Sequence, residues 1–356
     1  MPYLKFALVG CGRIAKRHSE LLGLNQISNA QLAAVCDIKA DRAAAIGSTM
    51  NVPHYTDMHK MMLEESIDVV VVLTESGLHA DQVIALATYG KHIIVEKPMA
   101  LNLADADRMI LACDRAGVKL FVVKQNRFNV PVMKLRQALE AGRFGKMVMG
   151  TVRVRWSRPQ EYYDQDTWRG TWALDGGVLA NQASHHVDLL EWMLGHPTSV
   201  FAIAKTALVN IEAEDTAAVL LRFANGAFGI IEATTAVRPK DLEGSVSLMG
   251  EGGTVVIEGF AVNQMKTWNF VDPLPGDDDA LSKYSVNPPN VYGFGHQAYY
   301  EHVVDCILNN RQQLVDGLEG RKSLELISAI YESIETGREV ALRFEPKHCR
   351  LGQRNG

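Results

Sequence analysis

Three groups of residues in this chain have types and spacings suited to chemistry. Glu96-Lys97-Pro98 follows the short apolar run His92 to Val95, and the proline forbids the strand from continuing. A lysine at such a strand end points into a crevice, where partial burial beside a cofactor brings an ammonium toward an acid–base range. The competing reading of Lys97 is a solvated loop lysine. The second group lies between Asp175 and Asp188. With Val178 to Leu194 helical, Asn181, His185 and Asp188 share one stripe, and His186 falls on another face beside Gln182. Ala180, Ala183 and Ser184 leave room for another group to approach. His185 is therefore the acid–base candidate, and a hydrogen-bonded structural histidine is the alternative. Two adjacent histidines without an H-E-x-x-H pattern or a cysteine cluster do not complete a ligand set, so no metal is expected. The third group is Arg153, Arg155, Arg158, Tyr162, Tyr163, Trp168 and Arg169. Guanidinium forks suit phosphate or carboxylate, and the aromatics offer stacking faces. Arg153 and Arg155 share a strand face and read as solvated sheet surface. Arg158, Trp168 and Arg169 precede the histidine helix in an irregular segment, where a ligand role and a structural role fit equally.

The elements that must position these groups begin at the N-terminus. Leu4 to Val9 reads as a buried strand ending on Gly10-Cys11-Gly12, with Ala15 at the third small position of a G-x-G-x-x-G/A turn. Gly10 permits the tight turn, Gly12 admits a pyrophosphate, and Ala15 lets the helix lie close to the strand. The helix then presents its N–H groups and positive dipole end to the anion. A second strand, Gln31 to Cys36, ends on Asp37, which accepts hydrogen bonds from an adenine ribose and repels a 2′-phosphate. NAD is the expected cofactor, with Lys39 and Arg42 close enough to moderate the preference.

Strand–helix alternation continues through a helix at 41–46, strands at 52–55 and 69–73, a helix at 79–89, a strand at 92–95, a helix at 103–116 and a strand at 119–123. This predicts an α/β doubly wound parallel sheet with ligands at the strands' carboxyl ends, where Thr74, Glu96, Lys97 and Gln125 fall. Past residue 126 the rhythm changes to strands at 147–156, 200–208, 216–223, 228–236, 245–249 and 254–258. Asn225-Gly226 signals a type I′ hairpin. The expected organisation is a Rossmann domain over 1–125 and an α+β domain over 126–344 with a large open, mostly antiparallel sheet. The stretch from Asp272 to Tyr292 reads as a long loop, and 345–356 as a mobile basic tail.

Composition fits this reading. The chain has 356 residues, 47% hydrophobic and 22% charged, with a formal net charge of −5. A negative field disfavours nucleic acid and anionic membrane as partners. The five cysteines are scattered without a C-x-x-C, which implies a reducing, cytoplasmic setting.

These motifs together resemble the Gfo/Idh/MocA oxidoreductases: the G-x-G-x-x-A turn, the E-K-P triplet, and the glycine-rich entry to a helix bearing His185 and Asp188. The resemblance spans essentially the whole chain. It implies NAD held by Gly10, Gly12, Arg13, Ile14, Asp37, Thr74, His79, Glu96, Lys97, Gln125, Trp168 and Arg169. It also implies that Lys97 and His185 take part in oxidising a sugar hydroxyl. One departure stands out, because the family's usual aspartate one turn before the histidine is Asn181 here. The segments around Trp168-Arg169-Gly170-Thr171-Trp172, Asn181-Gln182 and Tyr292-Gly293-Phe294 are similar to one branch, the WlbA/WbpB-type UDP-N-acetylglucosaminuronate 3-dehydrogenases of lipopolysaccharide and O-antigen sugar biosynthesis. That likeness implies a UDP-linked sugar acid contacted by Lys97, Arg158, Tyr163, Asn181, Gln182, His185 and Tyr292, and a homodimer or homotetramer. A dehydrogenase of free sugar or inositol and a non-catalytic NAD sensor are the alternatives.

Overall fold

The computed structural model describes residues 3–259, 261–285, 293–342 and 346–353. The chain divides into two compact units, Met1–Val123 with His296–Arg321, and Lys124–Gly295 with Lys322–Gly356.

The first unit runs β1 (Leu4–Val9), α1 (Ala15–Gly23), β2 (Ala30–Cys36), α2 (Ala40–Met50), β3 (His54–Tyr55), α3 (Met58–Glu64), β4 (Val69–Val72), α4 (His79–Ala87), β5 (His92–Val95), α5 (Leu103–Ala116) and β6 (Leu120–Val122). The strands form a parallel sheet in the order β3-β2-β1-β4-β5-β6. Strand order reverses at β1 and β4, so their carboxyl ends flank the switch point where such sheets take ligands. β4 is four valines, all buried, as expected for a strand covered on both faces. Helix α5 starts where the sequence indicates because Asn102 caps it, its Oδ1 accepting the Asp105 N–H at 2.8 Å.

The second unit contains α6 (Val130–Glu140), β7 (Met147–Arg155), α7 (Gln160–Tyr163), α8 (Ser184–Leu194), β8 (Pro197–Lys205), β9 (Thr216–Phe223), β10 (Phe228–Thr234), β11 (Glu243–Gly250), β12 (Gly253–Glu258), β13 (Gln264–Phe270) and α9 (Ala280–Lys283). Then follow α10 (Gly295–Leu308), α11 (Gly317–Thr336) and β14 (Val340–Ala341). From His296 to its end α10 belongs to the first unit, as do the opening residues of α11. The sheet of the second unit runs β13-β12-β11-β7-β10-β9-β8-β14, antiparallel except where β10 pairs with β7. Val219 and Leu221 are buried on one face, while Leu220, Phe201 and Ile203 are exposed.

Several sequence expectations need correction. The Asn225-Gly226 turn is not type I′. Gly226 has a φ of +85° and its N–H bonds to the Phe223 carbonyl, with Phe223 N–H reaching Ala227, so Ala224 to Gly226 form a three-residue loop with a left-handed glycine. Residues 178–183 are turns, and α8 begins only at Ser184. The loop after Asp272 contains the short helix α9. Within the stretch expected to be a basic tail, residues 347–349 are bonded to α11. One carboxylate oxygen of Glu332 accepts the N–H groups of Lys347, His348 and Cys349 at 3.0, 2.6 and 2.9 Å, and Leu351 is buried. Charge counting missed an anchor made of backbone donors.

Candidate active site

The turn between β1 and α1 has the shape a dinucleotide needs. Gly10 has a φ of +100°, and a Cβ there would lie 2.8 Å from the Leu73 carbonyl carbon. At Gly12 an added Cβ would meet nothing within 4 Å, which leaves open space beside the backbone. Ala15 is fully buried, and α1 has no side-chain cap and no acid in its first turn, so its N-terminus is left for an anion. Arg13 is exposed and Ile14 half-buried at this end. Asp37 closes the turn from β2, its oxygens accepting the Cys11 N–H at 2.7 Å and the Lys39 N–H at 2.8 Å. Each carboxylate oxygen keeps a further lone pair for a ribose hydroxyl.

Lys97 is half-buried at the end of β5. The preceding Glu96 is buried, its carboxylate bonded to protein groups. Oε2 accepts the Lys97 N–H at 2.9 Å, and Oε1 lies 3.0 Å from His18 Nε2. His18 Nδ1 is 2.6 Å from the Tyr300 hydroxyl, and His296 Nε2 is 4.0 Å from Glu96 Oε1. Burial pushes the Glu96 acid up, but the His18 hydrogen bond and the charges of His18, His296 and Lys97 outweigh it and hold the pKa at about 2. The donor atoms of His18, Glu96 and His296 lie within 4.8 Å of one another. Within this group the His18–Glu96 contact, at 3.0 Å, is a hydrogen bond. His79 is a brace. Its ring is 1% exposed, with Nδ1 2.9 Å from the Pro98 carbonyl and Nε2 3.1 Å from the Thr74 carbonyl, and burial lowers its pKa. Thr74 also bonds Gln82 through its hydroxyl.

In the second unit, the 3₁₀ turn Gln125–Phe128 and α8 bring Gln125 and His185 together, with Nε2 of each 3.0 Å apart. The contact is an amide N–H given to His185 or, with the amide turned over, an imidazole N–H given to Gln125 Oε1. Gln125, expected at the cofactor, is thus a partner of the histidine that lacks the family's aspartate. Asn181 precedes α8, and its amide donates to Asp175 Oδ1 at 2.5 Å. The expected helical stripe of Asn181 and His185 therefore does not exist as such. Gln182 is buried, whereas Asn181 and His185 are half-buried. His186 is 1% exposed against Trp156, and burial lowers its pKa to about 4, so it is the structural member of the pair. Behind His185, Asp188 takes both Arg127 Nε and Nη2 at 2.8 Å, with Lys124 Nζ at 3.5 Å. Sequence reading missed this ionic cluster, and it missed His18, Tyr300 and His296. His18 follows Ala15 by three residues and so shares its buried face, the one signal that could have found it.

The arginines are already engaged. Arg153 and Arg155 pair with Glu232 and Glu243 on the sheet surface, as the solvated-face reading has it. Arg158 donates to Asp241 at 2.9 Å and lies over Tyr162. Arg169 bonds the Tyr162 hydroxyl at 2.9 Å and Asp166, and stacks on Tyr162 and Trp168. Tyr163 is buried, bonded to Thr235 at 3.0 Å, and burial raises its phenol to about 12. Tyr292 lies outside the described residues.

The turn that carries Asn181 is held from beneath by Glu214, whose Oε1 accepts the Leu179 N–H at 2.9 Å and the Tyr331 hydroxyl at 3.0 Å. Burial lifts the Glu214 acid from 4.5 to about 7, despite those donors. A folded pKa above the unfolded one means full stabilisation below pH 4.5 and its loss as pH rises through 7. The difference amounts to about 3 kcal/mol. Thermal melts should therefore show a midpoint that falls between about pH 5 and 8, and Glu214→Gln should flatten that slope. An unchanged slope in the variant assigns the titration elsewhere.

Comparison with known proteins gives the same outline. Residues 4–124 match the NAD-binding Rossmann fold of the Gfo/Idh/MocA oxidoreductase family, and residues 136–342 match its C-terminal alpha/beta domain. The chain is 42% identical to the WlbA dehydrogenase from Bordetella pertussis, solved in complex with NADH and UDP-GlcNAcA, with a TM-score of 0.89 over 96% of this chain and 100% of that one. For WlbA from Chromobacterium violaceum, in complex with the same two molecules, the identity is 41% and the TM-score 0.90, over 97% and 99% of the two chains. Myo-inositol 2-dehydrogenase of Thermotoga maritima is 29% identical over 348 residues, 95% of this chain and 98% of that protein.

Proposed function

The chain belongs to the Gfo/Idh/MocA oxidoreductases and is an NAD-dependent oxidoreductase, and we propose that it oxidises the C3 hydroxyl of UDP-N-acetylglucosaminuronate to the 3-keto sugar. This step serves lipopolysaccharide and O-antigen sugar synthesis. The observation that carries the reading is the 42% identity, over 96% of this chain, to a dehydrogenase solved with NADH and UDP-GlcNAcA. Bound NAD supplies the hydride acceptor. Lys97 and His185 divide the remaining work: one takes the hydroxyl proton, the other orients the oxygen. Gln125 fixes the His185 ring. Asn181 and Gln182 hold the sugar, Arg158 serves its anionic groups by exchanging Asp241 for a ligand oxygen, and Arg169 with Trp168 serves NAD. Tyr163 supports them from within the fold. The exposed Phe201, Ile203 and Leu220 suit the homo-oligomer expected for this branch.

The second reading is a dehydrogenase of inositol or free sugar, favoured by the 29% identity to myo-inositol 2-dehydrogenase. The test is to follow reduced-nicotinamide absorbance with NAD and a panel of UDP-N-acetylglucosaminuronate, UDP-N-acetylglucosamine, myo-inositol and glucose. A response confined to the sugar-nucleotide acid is expected. A response to myo-inositol or glucose that ignores the UDP group replaces this reading with the second.

A further inference from the structure

Glu96 is a buried anion whose carboxylate is held by protein groups, and it is bonded to the backbone of the residue expected to do the chemistry. Being ionised, its carboxylate only accepts. His18 Nε2–H must then donate to Oε1, at 3.0 Å, while Oε2 takes the Lys97 N–H at 2.9 Å. The other ring nitrogen, Nδ1, lies 2.6 Å from the Tyr300 hydroxyl, which completes the chain of bonds from Tyr300 to Glu96. His18, Glu96 and Tyr300 are 0%, 7% and 0% exposed, so water does not compete for these bonds. The T-shaped contacts of Tyr300 with Phe6 and of His18 with His296 hold the rings in place. Helix α1, which leaves the dinucleotide turn, is thereby bonded to the peptide of Lys97 through two side chains.

We propose that Tyr300, His18 and Glu96 form a positioning relay that sets the Lys97 backbone, and so its ammonium, relative to the dinucleotide turn. The inference rests on the reading of Lys97 as an acid–base group. The charged and titratable groups around Glu96 are His18 on α1, His79 on α4, neighbouring Lys97, and His296, Tyr299 and Tyr300 on α10. Breaking the relay changes the field at Lys97 as well as its position, which a purely structural role would not do.

The test uses the full-length protein with NAD and whichever alcohol of the panel above it oxidises. His18→Leu should lower kcat roughly tenfold to a hundredfold, as expected for a displaced catalytic group, with KM for NAD little changed and the pH profile of kcat displaced. His18→Gln, which keeps an N–H for Glu96, should recover most of the loss. Tyr300→Phe removes one hydroxyl and serves where His18→Leu fails to fold; a partial loss with the same pH displacement is expected. Independently of turnover, reductive ¹³C-methylation and NMR titration of the Lys97 amine should give a different midpoint in the variants. In a Lys97→Ala background, His18→Leu or Tyr300→Phe should cost nothing more. Additive losses, or a wild-type pH profile and wild-type amine titration, overturn the relay while leaving Lys97 in place. Wild-type turnover in Lys97→Ala alone overturns the reading beneath it.

Discussion

Lys97→Ala lowers turnover by about a hundredfold to ten-thousandfold, the range supplied by one positioned acid–base group, and leaves NADH binding within a few-fold of wild type. The separation follows from where the two tasks lie. On the proposed reading, dinucleotide recognition rests on the Gly10 turn, the start of α1 and the Asp37 carboxylate, which the Cys11 and Lys39 N–H groups hold in place. None of them uses the Lys97 side chain. Lys97 stands at the end of β5, half-buried, its N–H fixed by Glu96. Steady-state kcat and fluorescence titration of NADH measure the two effects on the same preparation. Lys124→Ala is the informative control. Lys124 is 4% exposed and bonded to Ser323 at 2.7 Å, and burial lowers its pKa although Asp188 opposes this. Its loss should appear first in thermal stability. Normal turnover in Lys97→Ala would remove Lys97 from the chemistry and leave His185 as the base.

The parts of this fold legible in sequence are those where one residue type decides one local geometry. Helix α5 runs from Leu103 to Ala116 as read, because Asn102 caps one end and Gly117 ends the other. The glycine turn was equally plain, since only glycine fits against Leu73 at that φ. Legibility failed where a long-range partner decides. Periodicity continued α8 back to Val178, but Glu214 and Tyr331 take the backbone donors of Leu179 and Gly177 and hold that segment as turns. Helix α10 gave no sign that from His296 on it would pack with the first unit, because an apolar stripe does not name the sheet that covers it. The site divides in the same way. Lys97 and His185 are candidates that motif alone picks out, whereas the Gln125 contact with His185 and the His18 contact with Glu96 join residues 60 and 78 positions apart. No local spacing encodes such pairs.

Asp188→Ala should be the most destabilising single change in the second unit. Asp188 neutralises two cations at once. Arg127 grips it with a two-pronged bond at 2.8 Å, and Lys124 adds a contact at 3.5 Å, with all three side chains at most 4% exposed. Burial alone would raise the acid, but the adjacent guanidinium and ammonium hold it below the usual carboxylate range. Removing the carboxylate strands both cations in the interior, at a cost of about 3–5 kcal/mol and a fall in melting midpoint of roughly 10 °C. The sign of the pH dependence follows from the depressed pKa. Asp188 stabilises fully above the ordinary carboxylate range, and the wild type loses that contribution as pH falls below it; the variant has none to lose. The curves of wild type and variant should therefore converge under acid, and a constant offset down to that range would refute the assignment. The damage should reach the chemistry as well. Arg127 lies in the turn that begins with Gln125, and Asp188 follows His185 on α8, so their ion pair ties together the two elements that place Gln125 against His185 at 3.0 Å. At a temperature where Asp188→Ala remains folded, kcat should still fall while NADH affinity is retained, because the clamp lies behind the histidine and the dinucleotide turn belongs to the other unit.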